Sequence, residues 1–109
     1  MRVVWSPLAL RRVTEIVDYM SRDRPDTATQ WAEGLLALAG QLEAFPGRGR
    51  IVPEIGRPAI RELLYGEYRI VYKVQAASVG ILTVGHGRRQ FAVSEVRRRR
   101  KGTAGPTRR

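Results

Sequence analysis

The sequence predicts an α+β fold in which two helices pack on one face of a mostly antiparallel sheet, in the order β-α-α-β-β-β. Apolar residues recur at helical spacing through the first half of the chain, as far as Phe45. A Pro-Gly pair at Pro46 and Gly47 interrupts this pattern, and after Ile60 apolar residues recur at every second position, as they do in strands. The change of period divides the chain into a helical half and a sheet half.

The first predicted element is a short strand from Arg2 to Trp5, where β-branched residues precede a tryptophan. Ser6 followed by Pro7 is the pattern of a helix N-cap with proline at the first helical position. Apolar residues then recur at helical spacing as far as Met20. The sequence therefore predicts a first helix from about Pro7 to Ser21.

A second helix is predicted after a turn at residues 23–26. Its apolar stripe is longer than that of the first helix and consists of Ala28, Trp31, Ala32, Leu35, Leu38, Ala39, Leu42 and Phe45. Because only a short turn separates the two helices, they should form an αα-hairpin. Trp5 and Trp31 both fall on apolar faces, and we expect both to anchor the core.

The sheet half opens with an irregular stretch that Pro53 and Pro58 interrupt, and the first clear strand follows at Ile60–Tyr65. The last strand, at residues 79–84, is apolar on both faces, which is typical of a strand in the centre of a sheet.

The strand between these two, at Tyr68–Val74, carries the most informative pattern. With a period of two, its aromatic and aliphatic residues share one face, and Tyr68 and Tyr72 should point into the core. Arg69 and Lys73 fall on the other face. We therefore expect an exposed cationic surface on the side of the sheet away from the helices.

Composition narrows the possible functions. The 109 residues match one domain, and they include no cysteine, which excludes disulfides, thiolate nucleophiles and most zinc sites and suits a reducing compartment. With one histidine, a metal cluster is not expected, and no phosphate-cradling glycine motif or nucleophile elbow implies a cofactor or another enzyme class. We also expect no signal peptide, because Met1–Trp5 is too short for the apolar core of one and Ser6-Pro7 interrupts it. No membrane partner is expected, because no segment approaches the roughly 20 apolar residues of a membrane span. A cytoplasmic protein is predicted.

The basic charge is concentrated at the end of the chain. Residues 97–109 contain seven basic residues and no acid, whereas residues 1–96 contain thirteen basic and ten acidic residues. We therefore predict a domain at residues 1–96 and a disordered basic tail at residues 97–109, which is too poor in apolar residues to fold. Two interpretations of the tail stay open: non-specific binding of nucleic acid through counterion release, or a solvated terminus.

Residues 1 to about 91 resemble the RelE/ParE superfamily of toxins from bacterial type II toxin–antitoxin modules. The resemblance rests on the order and spacing of several segments rather than on one motif. In chain order these read SPLALRRVTEIVDYM, TATQWAEGLLALAGQLEAFPGRGR, IREL with YRIVYKV, and ILTVGHGRR. The resemblance implies the same layer order that the apolar periodicity predicts.

The superfamily has two activities. RelE-like members are ribosome-dependent ribonucleases that cut mRNA, whereas ParE-like members act on DNA gyrase and leave it trapped on broken DNA. In both groups a cognate antitoxin neutralises the toxin. Because one fold serves both activities, only individual residues can distinguish them.

Two residues here match what the ribonuclease mechanism requires. The resemblance implies that Arg69 corresponds to the arginine that RelE-like enzymes place against the phosphate, and Arg61 could add a second cation. His86, at the end of the last strand, could transfer a proton, because an ordinary imidazole titrates near neutral pH.

Two departures favour a ParE-like toxin instead. RelE-like enzymes tend to have lysines where this chain has Ile60 and Glu62, and a tyrosine after the last strand where it has Phe91. Phe91 can stack on a base but cannot transfer a proton. The ending of the last strand, with His86 followed by arginines, is also commoner among ParE-like members.

The candidate surface for binding the target or the antitoxin combines cations with one aromatic residue: Arg61, Arg69, Lys73, Arg88, Arg89 and Phe91. Simpler interpretations remain open for two of the candidates. Arg69 could be solvated or paired with Glu62 or Glu67, and His86 could cap a turn. A different class of function, a small basic module that binds nucleic acid without chemistry, also remains open.

Overall fold

The computed structural model describes residues 1–87, and these residues form the α+β fold that the sequence predicts. The elements are β1 (Arg2–Trp5), α1 (Pro7–Ser21), α2 (Pro25–Gly40), a 3-10 turn (Gln41–Glu43), β2 (Arg50–Ile51), β3 (Ile60–Tyr65), β4 (Tyr68–Val74) and β5 (Ser78–His86). The strand order is β1-β5-β4-β3-β2. The short strand β2, at one edge, is the strand that the sequence pattern did not predict.

The sheet is antiparallel except at one edge, where β1 runs parallel to β5. Arg2 pairs with Ser78 and Trp5 with Ile81, so the first strand joins the sheet only through the last one. Because β5 lies between β1 and β4, the prediction that residues 79–84 form an interior strand is confirmed.

The first helix begins and ends where the sequence predicts. The Ser6 hydroxyl accepts a hydrogen bond from the backbone N–H of Ala9 and donates one to the carbonyl of Leu82 on β5. One buried side chain therefore both caps α1 and ties it to the sheet. A cap of this kind contributes about 1 kcal/mol to helix stability.

The main core lies between the helical hairpin and the sheet. Its fully buried members come from both layers: Ala9, Leu35, Ala39, Leu42, Leu63, Ile70, Tyr72, Val79, Ile81 and Val84. Trp5 and Trp31 are half-buried and pack against this core, as expected. Phe45 departs from the prediction: α2 ends at Gly40, the 3-10 turn redirects the chain, and the Phe45 side chain is 65% exposed.

A second, smaller core lies on the other face of the sheet, where an open surface was expected. It consists of Val52, Ile60, Val71 and Leu82, with Ile55 packed against them. The pairing of β4 with β5 shifts between Val71 and Tyr72, and the resulting bulge at Leu82 lets Ile81 and Val84 both reach the main core.

The segment of residues 52–59, called the strap below, supplies Val52 and Ile55 to the second core. The sequence predicts it only as an irregular stretch, because two prolines disrupt any period. Three predicted site residues, Arg88, Arg89 and Phe91, lie outside the described residues, as does the predicted tail. Within residues 1–87, no helix is both long enough and apolar enough to cross a membrane.

Candidate functional site

A buried cluster of charged side chains lies between the strap and the sheet, and Arg69 on β4 is its centre. The Arg69 side chain is 5% exposed, and its Nη1 atom lies 2.7 Å from Oε1 of Glu62 on β3. Its Nη2 atom lies 2.6 Å from Oε2 of Glu54 on the strap. Both terminal nitrogens of the guanidinium therefore donate to carboxylates of the same chain.

Glu62 is the most deeply buried charge in this cluster. Its side chain is 0% exposed and lies between two arginines, since its second carboxylate oxygen accepts a hydrogen bond from Nε of Arg50. Burial of a carboxylate is tolerated only where cations or donors surround it. Arg50 is largely exposed, so the cluster extends from the protein surface at β2 to the interior at β4.

The ion pair between Arg69 and Glu54 favours the charged form of both groups. The hydrogen bond from Arg69 lowers the pKa of Glu54 below its ordinary value of 4.5, although partial burial acts in the opposite direction. Burial acts to lower the pKa of Arg69, but the hydrogen bonds to Glu54 and Glu62 outweigh it and raise that pKa. Each of the two groups thus stabilises the charged form of the other.

This geometry corrects one expectation and confirms another. The expectation that Arg69 lies on an exposed cationic surface is wrong, because the strap covers that part of the sheet and carries its own carboxylate. The simpler interpretation, an ion pair with Glu62, is confirmed. A binding or catalytic role of Arg69 remains a prediction.

Arg61 does not join this cluster. It is paired with Tyr72 across the β3–β4 ladder, so it lies on the face toward the helices, whereas Arg69 lies on the opposite face. Its Nη1 atom donates to the carbonyl of Gly49, 2.8 Å away. The expectation that Arg61 and Arg69 form one cationic site is therefore wrong.

Lys73 shares the face of Arg69 but lies near the other end of β4. It pairs with Ile60 on β3 and with Gly80 on β5, and it is partly exposed. Of the predicted cations among residues 1–87, Arg61 and Lys73 are the two that remain partly accessible.

The turn that precedes β2 is closed by the Tyr72 hydroxyl, which accepts a hydrogen bond from the N–H of Gly49 and donates one to the carbonyl of Pro46. Burial raises the pKa of this phenol, and the hydrogen bond from Gly49 and the charge of Arg61 act against that rise. The inward orientation predicted for Tyr72 is confirmed.

His86 pairs with Tyr68, next to the pair of Arg69 with Gly85, so it lies near Arg69 along the sheet but on the face toward the helices, beside a group of aromatic side chains. Its Nε2 atom is 3.2 Å from Oε1 of Glu67, and its ring contacts the edge of Tyr68 at a centroid distance of 5.5 Å. Trp31 contacts Tyr68 in turn, with centroids 5.1 Å apart. Burial raises the pKa of Tyr68, and the nearby charge of Glu67 adds to that rise.

The structure thus separates Arg69 and His86 into different surroundings. Arg69 is held by acids under the strap, whereas His86 is partly exposed and close to Glu67. Sequence reasoning missed Glu54, since a glutamate in an irregular stretch between two prolines carries no pattern. Among the described residues, no group of histidines and acids could hold a metal ion.

Comparison with known proteins places this chain in a family. A model described as the ParE toxin of the type II toxin–antitoxin system parDE matches residues 3–91. The chain is also 34% identical over 93 residues to a Sinorhizobium fredii protein named "Putative toxin Y4kP", covering 83% of this chain and 92% of that protein.

A solved structure titled "Chromosomal ParDE TA system from P. aeruginosa" has the same fold. It matches with a TM-score of 0.68 and 18% identity, covering 79% of this chain and 95% of that one. At this identity the likeness shows the fold alone. The family model covers nearly all of residues 1–87 and the sequence relative agrees with it, so the protein belongs to the ParE toxin family of type II toxin–antitoxin systems.

Proposed function

We propose that this toxin arrests growth by acting on DNA gyrase and that a cognate antitoxin neutralises it. The observation that supports gyrase over the ribosome is the burial of Arg69. A ribonuclease needs an accessible cation to stabilise the negative charge that develops on the phosphate during cleavage. Here Arg69 is 5% exposed and donates to Glu54 and Glu62.

The surroundings of Arg69 add to this support. The cations that RelE-like enzymes carry on the preceding strand are replaced by Ile60 and Glu62, and both side chains are buried. Glu62 is a negative charge next to the position where a phosphate would have to bind. Repulsion between the carboxylate and a phosphate would oppose catalysis there.

The proposed partner is an antitoxin with acidic side chains, because the exposed cations around β2 and the partly accessible Arg61 and Lys73 offer complementary charges. Arg48, Arg50 and Arg57 are exposed near this sheet edge. Arg88, Arg89 and Phe91 remain candidates for the same role. If the antitoxin binds at this edge, its association rate and its affinity should both decrease as the salt concentration rises.

The test compares two targets with the same protein preparation. The full-length toxin should block supercoiling by purified gyrase and cause cleaved DNA–gyrase complexes to accumulate, and the antitoxin should reverse both effects. In a translation extract, mRNA should stay intact. Normal supercoiling together with truncated mRNA would reject gyrase as the target and favour the ribosome.

One observation favours the ribonuclease as a second candidate. The imidazole of His86 is partly exposed and lies close to a carboxylate, an arrangement that suits a general base able to accept the proton of a 2′-hydroxyl. In that case His86→Ala should abolish mRNA cleavage.

A variant without residues 97–109 separates both candidates from a simple nucleic-acid-binding module. If deletion of residues 97–109 abolishes all activity, the basic tail rather than the folded domain carries the function.

A further inference from the structure

The strap brings a glutamate to an arginine that the sheet already pairs with another glutamate. Glu62 lies on β3, is 0% exposed and also accepts from Arg50. Glu54 lies on the strap and is 18% exposed. Of the two carboxylates bound to Arg69, one is therefore fully buried in the sheet and the other is partly exposed.

The contact between Glu54 and Arg69 has the form that arginine uses to bind a carboxylate ligand. Oε2 of Glu54 lies 2.6 Å from Nη2, and Oε1 lies 3.4 Å from Nη1. One short and one long N–H···O contact between the two groups approach the bidentate geometry by which a guanidinium recognises a carboxylate from another molecule.

The turn of residues 52–56 is closed by two backbone hydrogen bonds that lifting residues 53–56 away from Val52 would break. The backbone N–H groups of Ile55 and Gly56 both donate to the carbonyl of Val52, so these bonds lie within the strap itself. Gly56 has a φ of +69°, which a residue with a side chain would rarely adopt. Lifting residues 53–56 would leave Val52 in the second core, and it would remove Ile55 from that core and Glu54 from Arg69.

We propose that Glu54 is a displaceable internal ligand of Arg69, and that the strap masks a site for a carboxylate supplied by an acidic side chain of a partner protein. Removing Glu54 takes one negative charge away from Arg69, while Glu62 keeps the guanidinium in place. A carboxylate is favoured as the incoming ligand because the site already holds one in near-bidentate geometry. The proposal makes the burial of Arg69 reversible, so the support for gyrase as the target then comes from Glu62, which stays beside Arg69 when Glu54 leaves.

The first test uses full-length Glu54→Gln, in which the internal ligand is neutral but nearly the same shape. The readout is the Arg69 side-chain Nε–H resonance and the Ile55 amide resonance in heteronuclear NMR spectra. Acetate is titrated against chloride at equal ionic strength. Acetate should bind at Arg69 in the variant about tenfold more tightly than in the wild type.

The matched control is Glu15→Gln, which removes the same charge from an exposed pair with Arg12. In this control the Arg69 resonance should respond to acetate as it does in the wild type. An equal response in both variants, or no response of Arg69 in Glu54→Gln, would overturn the proposal. A second titration uses inorganic phosphate. Tighter binding of phosphate than of acetate would reject an acidic protein partner as the source of the ligand.

A second measurement on the wild-type protein remains decisive if Glu54→Gln does not fold. Amide hydrogen exchange reports local opening separately from global unfolding. If the strap can lift, the amides of Ile55 and Gly56 should exchange at least about tenfold faster than the buried amides of β4. Exchange of the strap amides only through global unfolding would show that Glu54 does not leave Arg69, and the proposal would fail.

Discussion

The guanidinium of Arg69 lies 2.7 Å from the carboxylate of Glu62, and both side chains are buried on the sheet face away from the helices. The two residues lie on neighbouring strands, so their ion pair crosses the β3–β4 ladder. Glu54 reaches the same guanidinium from the strap. Part of the charge that sequence analysis assigns to an exposed surface therefore stabilises the fold.

Removal of Arg69 should destabilise the protein strongly. Arg69→Met leaves Glu62 buried with one cation fewer, and loss of one partner from a buried pair costs about 3–5 kcal/mol. The free energy of unfolding, measured by urea denaturation, should fall by this amount. In the control Arg12→Met, an exposed pair is lost and the change should stay below about 1 kcal/mol. Equal losses of unfolding free energy in the two variants would show that the buried pair stabilises the fold no more than the exposed pair does.

Stability should depend on the charge of Glu54 at acid pH. Because the folded protein lowers the pKa of Glu54, its stabilising effect is fully present above the ordinary value of 4.5 and is lost as pH falls through the lowered value. The free energy of unfolding should therefore decrease more steeply from about pH 5 to 3 in the wild type than in Glu54→Gln. Parallel curves for the two proteins would contradict this assignment.

Gly49 should not tolerate a side chain. A Cβ atom at this position would clash with the backbone carbonyl of Glu62 and with the Tyr72 hydroxyl, and the backbone of β3 cannot easily shift. Gly49→Ala should lower the free energy of unfolding by about 1–3 kcal/mol through overpacking. Gly47→Ala is the matched control, since a Cβ there meets no atom within 4 Å. A smaller loss for Gly49 than for Gly47 would disprove the close approach.

The Tyr72 hydroxyl should contribute measurably to stability. Tyr72→Phe leaves the N–H of Gly49 and the carbonyl of Pro46 without this partner, which costs about 1–3 kcal/mol where such groups are buried. Tyr19→Phe removes the hydroxyl of an exposed tyrosine and should change stability by less than about 0.5 kcal/mol. Thermal and urea unfolding of both variants check the difference. No loss in Tyr72→Phe would mean that water replaces the hydroxyl.

His86 distinguishes the two candidate targets. If the toxin acts on gyrase, His86→Ala should still arrest growth and still inhibit supercoiling, because proton transfer is not required. Its stability should change little, since the contact with Glu67 is exposed. Complete loss of toxicity in a variant that folds normally would favour the ribonuclease. Glu67→Gln is the companion variant. Its effect on toxicity should have the same direction as the effect of His86→Ala.

Local patterns predict most of this fold. The pair Ser6 and Pro7 predicts the start of α1, because a cap followed by a proline acts within one turn. The alternation in Tyr68–Val74 correctly assigns Tyr72 to the core face. Both predictions succeed because neighbouring residues alone determine the geometry.

The site is harder to predict because distant residues determine it. Alternation places Arg69 away from the helices, but only the strap decides whether that face is exposed. Residues 52–59 carry no period, and nothing in the sequence indicates that Glu54 reaches across to β4. The same limit applies to Arg61, since the sequence does not reveal that its face differs from that of Arg69 until the register of β3 is known.

The parallel pairing of β1 with β5 has a consequence for synthesis of the toxin. Arg2 meets Ser78, and the cap at Ser6 bonds to Leu82, so the first strand and the first helix lack their partners in the sheet until the last strand has left the ribosome. Contacts between such distant residues slow folding, because the intervening chain must be ordered first. We therefore expect the sheet to be completed only after the last strand has been synthesised.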